Sequence, residues 1–215
     1  MTLRAVVFDC DGVLVDSEPH SRAAWMAVLE PLGHPGTIDD VRRCTGLGFH
    51  STWGHLNALA PLPPPEELWH PVLDALRASF QSGLRRFEDA IGAVEELSLV
   101  GVPLGVASTS PRDRLDLTLE VIGLRRRFEV TIAGDEVEHP KPAPDVYLAA
   151  AEELRFEPGE CLAVEDSGPG AAAAVAAGMR VIGVARDPGQ AGPLLSAGAA
   201  LVDRVDGVTI RALLG

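Results

Sequence analysis

The sequence predicts an α/β protein whose core is a parallel sheet, with an all-helical region inserted into it. Three observations indicate this class. The apolar run that begins at Leu3 is rich in Val and Phe, as in a strand buried on both faces. From Ile91 onward, helical segments alternate with buried strands through short connections, which is typical of βαβ units with right-handed crossovers. Between Asp16 and Arg86 no strand-like alternation occurs.

The first part of the chain reads as a strand followed by helices. Asp16 or Ser17 is expected to cap a helix whose apolar residues recur at helical spacing from Trp25 and which ends at Gly33. The segment 13–15 is too short for a core strand and is expected to form a small flap. Further helices are predicted over residues 38–44, 49–59 and 66–84, the last after a proline-rich break.

The second half is predicted to alternate helices and strands. The predicted order is helix 90–99, strand 102–107, helix 112–122, strand 129–133, helix 144–154, strand 161–164, helix 170–177 and strand 180–184. A helix–strand–helix tail is expected over 194–214. The predicted division is a core of residues 1–15 and 86–215 and a helical cap of residues 16–85.

Composition narrows the function classes. The 215 residues are 47% hydrophobic and 23% charged, which is ordinary for a globular domain. A formal net charge of −13 argues against nucleic acid and anionic membranes as partners, and no segment is apolar enough to span a bilayer. The start lacks a signal-peptide pattern, and three scattered cysteines fit a reducing compartment. We expect a cytoplasmic protein, a monomer or a weak dimer.

Two acids follow the first strand. Side chains at i and i+2 point the same way from an extended backbone, so Asp9 and Asp11 are expected to share one space at the strand's carboxyl end. Open parallel sheets bind ligands at that edge. The repulsion between two carboxylates is relieved by a bound cation, by proton sharing or by one acid turning aside. The alternative is an Asp-Gly turn that merely ends the strand.

Polar residues also follow two later strands. Ser108 ends a strand and precedes a helix, so its hydroxyl and the next backbone N–H groups can hold an anion. Glu165 and Asp166 end another strand and offer the oxygen ligands that suit Mg²⁺. The alternative for both loops is an ordinary helix cap.

Lys141 is the only lysine among the 18 basic residues. Prolines on both sides stiffen its loop and would aim its side chain with little conformational freedom. An ammonium is a compact point charge and is not equivalent to a guanidinium at a site. A solvated loop lysine, or chance in composition, is the alternative.

Taken together, these segments resemble the four motifs of the haloacid dehalogenase (HAD) superfamily of phosphohydrolases. The matching residues are Asp9-x-Asp11-Gly12-Val13-x-x-Asp16-Ser17-Glu18, Ser108, Lys141-Pro142-x-Pro144 and Glu165-Asp166-Ser167. The resemblance is closest to the branch of β-phosphoglucomutase, phosphoglycolate phosphatase and sugar-phosphate phosphatases. It covers nearly the whole chain and implies a Rossmann-like core with an inserted helical cap.

The resemblance implies a phosphatase that hydrolyses a small phosphomonoester, such as a sugar phosphate, through an aspartyl-phosphate intermediate. Asp9 would be the nucleophile. Asp11 would protonate the leaving oxygen and then deprotonate the attacking water. Ser108, the Thr109 backbone and Lys141 would bind the transferring phosphoryl group.

The resemblance also implies a Mg²⁺ cofactor. Its ligands would be Asp9, the backbone carbonyl of Asp11, Asp166 and Glu165, with waters completing the octahedron. The cation would let a carboxylate approach a phosphate dianion. Closure of the cap would exclude water and carry the residues that recognise the leaving group.

Two departures favour a phosphatase over a phosphosugar mutase. The mutase branch carries a histidine five residues after the position of Asp16, where this chain has Ser21, with His20 one residue early. The mutase also has an arginine in the first cap loop, where this chain has Phe49. Arg42 and Arg43 lie nearby as possible substitutes.

A rival hypothesis is a nicotinamide dehydrogenase. Residues 168–173 match the dinucleotide fingerprint G-x-G-x-x-A, and Asp187 lies near the position of a ribose-binding acid. However, Glu165 and Asp166 would then sit beside the pyrophosphate, which is electrostatically unfavourable. A non-catalytic binding protein is a further alternative, but binding alone does not require a second Asp placed for proton transfer.

Overall fold

The computed structural model describes residues 2–44 and 47–214. The remaining four residues (Met1, Thr45, Gly46 and Gly215) fall within the predicted core and cap and lie outside the described residues. The chain divides into two compact units, residues 1–16 with 86–215 and residues 17–85. We call them the α/β unit and the helical unit. The catalytic and capping roles predicted for these two parts stay predictions.

The strands of the described residues are β1 (Ala5–Phe8), β2 (Val15–Asp16), β3 (Arg85–Arg86), β4 (Leu104–Ala107), β5 (Val130–Ile132), β6 (Cys161–Glu165), β7 (Arg180–Val184) and β8 (Ala200–Val202). The α-helices are α1 (Glu18–Leu29), α2 (Ile38–Arg42), α3 (Phe49–Asn57), α4 (Pro65–Gln81), α5 (Glu88–Leu99), α6 (Arg112–Val121), α7 (Asp145–Leu154), α8 (Gly168–Ala176), α9 (Ala191–Ala197) and α10 (Gly207–Leu214).

Six strands form one parallel sheet in the order β5-β4-β1-β6-β7-β8. The chain extends the sheet from β1 through β4 and β5 to one side, and then from β6 through β7 and β8 to the other. The order therefore reverses at β1, and the crevice at such a switch point is where open α/β sheets bind ligands. The short strands β2 and β3 form a separate two-stranded sheet.

Burial explains why the central strands read as apolar runs. Every residue of β1, β4 and β6 is buried, as expected where helices cover both faces of a parallel sheet. The alanine run that opens α8 also belongs to this core, since Ala171, Ala173 and Ala174 are fully buried. Small side chains let a helix lie close against the sheet, so these alanines have a packing role beyond helix propensity.

The helical unit contains α1 to α4, and α1 packs mainly on α4. Helix α2 begins at a capping box, in which the hydroxyl of Thr37 accepts from the N–H of Asp40 while the Asp40 carboxylate accepts from the N–H of Thr37. Helix α4 buries one apolar stripe that includes Leu68, Leu76 and Phe80.

The predicted fold class is confirmed, and element boundaries shift by a few residues. The helix predicted over 66–84 ends at Gln81, because Gly83 adopts a positive φ of 129°. Helix α1 ends at Leu29, earlier than Gly33. Helix α8 starts at Gly168, two residues before its predicted start, because the Ser167 hydroxyl accepts from the Gly170 N–H. No helix among residues 2–44 and 47–214 is long and apolar enough to cross a membrane.

Candidate active site

The register of the sheet brings three strand ends to one level. Phe8 pairs with Val106 of β4 and with Val164 of β6, so the next residue of each strand lies at the same edge. The Asp9 N–H donates to the Val164 carbonyl at 2.9 Å. Asp9, the segment after Ala107, and Glu165 therefore meet at the switch point of the sheet.

Lys141 lies at the centre of this edge. Its ammonium donates to Asp9 Oδ1 at 2.7 Å, to Glu165 Oε1 at 2.7 Å and to the Ala107 carbonyl at 3.0 Å. The Tyr147 hydroxyl lies 3.2 Å away and itself donates to Glu165 Oε1 at 2.7 Å. The Lys141 side chain is only 4% exposed, so it is not a solvated loop lysine.

The acids at this edge of the sheet outnumber the one ammonium among them. Burial raises the pKa of Asp9 to about 7, against the opposing effect of Lys141, and also raises the pKa of Asp166 well above its ordinary value. Burial alone would lower the pKa of Lys141, but Asp9 and Glu165 outweigh it and raise that pKa. The ammonium is therefore charged, and the buried carboxylates favour a further positive charge.

Glu165 is fully buried and heavily hydrogen-bonded. Oε1 accepts from Lys141 and Tyr147, and Oε2 accepts from the N–H groups of Asp166 and Ser167 and from the Ser167 hydroxyl. These five bonds occupy a carboxylate that has about four lone-pair positions. In this arrangement Glu165 holds Lys141 and the start of α8, and its role as a metal ligand stays a prediction.

Asp166 lies against the backbone of Gly12. A Cβ added at Gly12 would lie 2.1 Å from Asp166 Oδ2, and Gly12 has a φ of +87°, so a side chain there is excluded twice over. Asp166 Oδ2 also accepts a hydrogen bond from Gln190 Nε2 at 2.8 Å.

Asp11 faces a different set of partners from Asp9. Its Oδ2 accepts from the Ser110 hydroxyl at 2.8 Å, and its Oδ1 lies 3.4 Å from the Arg114 guanidinium. The two acids have different partners in the structure. Lys141 pairs with Asp9, whereas Ser110 and Arg114 contact Asp11.

The loop after β4 is tightly held. Ser108 is 1% exposed, and its hydroxyl oxygen accepts from the Ser110 N–H at 3.1 Å, which leaves the hydroxyl hydrogen to point to another acceptor. Thr109 is half-buried, and its backbone packs so close to Gly134 that a Cβ there would lie 2.4 Å from the Thr109 carbonyl oxygen. The loop is therefore rigid where an anion-binding group would be useful.

The acids at this edge fit a divalent cation. Asp9, Glu165 and Asp166 each offer a carboxylate oxygen, and these atoms lie within 4.8 Å of one another. Hard oxygen donors are the ligands that Mg²⁺ prefers. Burial raises the pKa values of Asp9 and Asp166, so a nearby cation would favour their ionised forms. The Asp11 carboxylate is not part of this group among the described residues, and the role predicted for its backbone carbonyl stays a prediction.

His20 and Phe49 mark the two places where this chain departs from the mutase pattern, and both contact other side chains of the helical unit. His20 Nδ1 lies 2.8 Å from the Ser79 hydroxyl, and the ring packs edge-on to Phe80. Phe49 stacks on Trp25 and meets Trp69 edge-on.

Arg42 and Arg43, the candidates to replace the arginine of the mutase cap loop, each form an ion pair with an aspartate of α2. Arg42 pairs with Asp39 and Arg43 with Asp40, each three residues apart. Trp53 is half-buried and donates its Nε1–H to the Pro63 carbonyl at 2.9 Å.

The fold and this constellation define a class of α/β proteins that place clustered acids and a buried lysine at the switch point of a parallel sheet. Residues 3–178 match the model of the haloacid dehalogenase-like hydrolases. The chain therefore belongs to this family, and the predicted family and HAD-type enzyme are confirmed.

Two curated relatives are phosphatases. The chain is 33% identical over 187 residues to the fructose-1-phosphate phosphatase YqaB of Escherichia coli (strain K12), covering 83% of this chain and 95% of the relative. It is 32% identical over 199 residues to a phosphorylated carbohydrates phosphatase of Thermotoga maritima, covering 92% of each.

A solved structure shares the fold. CbbY from Rhodobacter sphaeroides, crystallised with phosphate, superposes with a TM-score of 0.84 at 26% identity, over 98% of this chain and 99% of that one. The dehydrogenase hypothesis finds no support here. The Glu165 carboxylate lies against Gly170, since a Cβ added there would be 1.9 Å from Glu165 Oε1. A carboxylate therefore occupies the start of α8, where a dinucleotide would place its pyrophosphate.

Sequence reasoning missed four residues of the site. Ser110 and Arg114 lie on a loop and helix already noted, but nothing in the spacing indicates that they contact Asp11. Tyr147 is the only tyrosine and follows Lys141 by 6 positions, which is a weak signal. Gln190 stands at the fourth position of a D-x-x-Q capping pattern, which predicts a turn but not its contact with Asp166.

Proposed function

We propose that the protein is a Mg²⁺-dependent phosphatase that hydrolyses a small phosphomonoester, a sugar phosphate or a similar metabolite, through an aspartyl-phosphate on Asp9. The observation that carries the proposal is the ion pair of Lys141 with Asp9, itself one of three clustered carboxylates, in a chain of the haloacid dehalogenase-like hydrolases. The two phosphatases named above support the substrate class.

In the first half-reaction, a carboxylate oxygen of Asp9 attacks phosphorus. The new O–P bond forms as the ester P–O bond breaks, and Asp11 gives its proton to the leaving oxygen. The attack requires ionised Asp9. The ion pair with Lys141 at 2.7 Å favours the ionised form, and so would a bound cation.

In the second half-reaction, Asp11 takes a proton from water as the water oxygen attacks the phosphoryl group. The P–O bond to Asp9 breaks, which releases inorganic phosphate and restores the Asp9 carboxylate. Asp11 is thereby protonated again and ready for the next ester. The contacts of Asp11 with Ser110 and Arg114 hold its carboxylate in a defined place for both transfers.

Charge on the transferring oxygens has to be stabilised throughout. The Ser108 hydroxyl, the Thr109 backbone N–H and Lys141 are the groups that we assign to this task. The metal would be held by Asp9, Asp166 and the Asp11 carbonyl. Glu165 would become a further ligand by exchanging one of its five hydrogen bonds for the metal. When bound, it would lower the repulsion between the carboxylates and the phosphate dianion.

An aryl phosphate assay with and without EDTA tests the reaction. We expect turnover that chelation abolishes and Mg²⁺ restores, and we expect Asp9→Asn to remove it while the fold remains intact. Asp11→Asn should slow both half-reactions, by about 10²–10⁴-fold. Asp113→Asn is the matched control, because Asp113 is exposed on α6. Near-normal turnover in Asp9→Asn would show that the nucleophile is misassigned.

A second assay separates hydrolysis from phosphoryl transfer between sugar positions. The protein is incubated with β-glucose 1-phosphate and catalytic glucose 1,6-bisphosphate, and glucose 6-phosphate is measured against free phosphate. We expect free phosphate, since His20 and the two arginines have local partners. Glucose 6-phosphate appearing first would identify a phosphosugar mutase instead. A panel of sugar phosphates, phosphoglycolate and nucleotides then identifies the substrate.

A further inference from the structure

The loop after β7 reaches the acid cluster through one side chain, Gln190. Its Nε2 donates to Asp166 Oδ2 at 2.8 Å, and its Oε1 accepts from the backbone N–H of Asp187 at 2.9 Å. The loop lies 24 positions after Asp166 in the chain, and no sequence motif of the family resemblance includes it. Both ends of the amide are thus engaged, one by the backbone and one by the carboxylate.

The orientation of the Gln190 amide follows from chemistry. A backbone N–H can only donate, so the amide end that faces Asp187 has to be the carbonyl oxygen. The NH₂ end therefore faces Asp166 and donates to it. Because the turn that contains Asp187 and Gln190 is closed by reciprocal hydrogen bonds, the donor is held in place before any ligand binds.

Asp166 is consequently held from two directions. Gly12 packs against its carboxylate, since a Cβ at Gly12 would lie 2.1, 2.4 and 2.8 Å from Oδ2, Cγ and Oδ1. The hydrogen bond from Gln190 fixes the rotation of the carboxylate about its Cβ–Cγ bond. The position and the orientation of Asp166 therefore have separate structural causes.

A neutral amide at position 190 suits a metal site better than a cation or a carboxylate would. Lys141 already contacts Asp9 and Glu165, and a second cation at Asp166 would compete with a metal for the same negative charge. A carboxylate in place of Gln190 would add repulsion to an acid whose pKa burial already raises. An amide satisfies one lone pair of Asp166 and leaves its charge available.

We propose that Gln190 is a positioning residue that orients Asp166 for the divalent metal ion. The inference rests on the proposed function, because it requires a metal at the acid cluster. Groups that hydrogen-bond a metal ligand without contacting the metal change metal affinity by about 10–100-fold. Gln190 does not contact Asp9 among its described hydrogen bonds, so its effect should fall on metal binding and not on the chemical step.

The test compares Gln190→Met and Gln190→Ala with the unchanged protein. Methionine keeps the length of the side chain but cannot donate, so it preserves packing if alanine fails to fold. Gln81→Ala is the matched control, because Gln81 is the other glutamine of the chain and is exposed at the end of α4. Asp166→Asn serves as the reference for a damaged site.

Mn²⁺ affinity is measured directly from the electron paramagnetic resonance signal of the free ion, and Mg²⁺ affinity by calorimetry. We expect the Kd of Gln190→Met to rise about tenfold or more and that of Gln81→Ala to stay unchanged. The kcat at saturating Mg²⁺ should return to within about twofold of the unchanged protein, while activity at limiting Mg²⁺ should fall with affinity.

Two negative results have different meanings. Unchanged metal affinity in Gln190→Met, in a protein where Asp166→Asn loses the metal, would overturn the role of Gln190 and leave the proposed function standing. If the unchanged protein binds neither Mn²⁺ nor Mg²⁺ in a manner that depends on Asp166, both the inference and the metal-dependent function are wrong.

Discussion

Lys141 Nζ lies 2.7 Å from Asp9 Oδ1, although 132 positions separate the two residues in the chain. The same ammonium lies 2.7 Å from Glu165 Oε1, so one buried cation joins the ends of two strands to the loop before α7. Removing it would leave several acids in a space with little solvent. These acids would then take up protons or repel each other.

We expect Lys141→Met to reduce kcat by about 10²–10³-fold, because the variant lacks a donor that stabilises charge on the transferring oxygens. Lys141→Arg should not restore activity. The ammonium is enclosed by four oxygen atoms at 2.7–3.2 Å, and a planar guanidinium cannot occupy the same point. Steady-state kinetics with an aryl phosphate measures both variants, with circular dichroism as the control for folding. Recovery of more than a tenth of the activity in Lys141→Arg would contradict the assignment.

The raised pKa of Asp9 predicts how metal-free stability depends on pH. Burial raises this pKa from 3.8 to about 7, so the folded state binds a proton more strongly than the unfolded chain. The stabilisation is fully present below pH 3.8 and is lost as the pH rises to about 7. In EDTA, the unfolding free energy of the unchanged protein should fall relative to Asp9→Asn across that window, by on the order of 4 kcal/mol.

Thermal unfolding of both proteins in EDTA between about pH 4 and about pH 8 measures this difference. Mg²⁺ should remove most of it above neutral pH, because a bound cation stabilises the ionised carboxylate. A difference that stays flat over the window, or that grows toward low pH, would mean that ionised Asp9 is not disfavoured in the folded state.

Sequence patterns predicted the sheet, and which side chains meet at its edge, better than the contacts that support those side chains. Asp9, Ser108 and Glu165 follow apolar runs, and parallel strands bring their carboxyl ends to one edge, so local patterns were enough to place them together. Contacts such as that of Ser110 with Asp11 depend on rotamers and loop paths across 99 positions. No periodicity encodes such contacts, which is why these partners were found only in the structure.

Arg186 and Asp89 form a second ion pair, which is half-buried and lies at the start of α5. Arg186 donates twice to Asp89, at 2.9 and 3.0 Å, and once to the Val13 carbonyl at 3.2 Å, and it lies over the Phe87 ring. Asp89 also accepts from the Val205 N–H at 2.9 Å. Burial opposes ionisation of Asp89, but these donors outweigh it and lower its pKa.

We expect Asp89→Ala to lower the free energy of unfolding by about 2 kcal/mol, because Arg186 would keep its charge without its bidentate partner. Since the pKa of Asp89 is lowered, this contribution is present above pH 3.8 and is lost as the pH falls through the folded-state pKa. Urea unfolding at neutral and acidic pH measures both effects. Asp39→Ala is the control, because its pair with Arg42 is exposed and should contribute less than about 0.5 kcal/mol. Equal losses in the two variants would show that the half-buried pair of Asp89 and Arg186 is no more stabilising than the exposed one.

Glycine substitutions in two helices should have opposite effects. A Cβ at Gly170 in α8 would lie 1.9 Å from Glu165 Oε1, inside the carboxylate that holds Lys141. Gly170→Ala should therefore lower the free energy of unfolding by about 2–4 kcal/mol and impair turnover, because Glu165 has to leave its hydrogen bonds. Gly92 in α5 has open space at that position, so Gly92→Ala should stabilise by about 0.5–1 kcal/mol and leave turnover unchanged. Urea unfolding and kinetics of the two variants, side by side, measure this. A neutral Gly170→Ala would mean that the start of α8 can move away from Glu165, and that the carboxylate does not depend on the tight packing there.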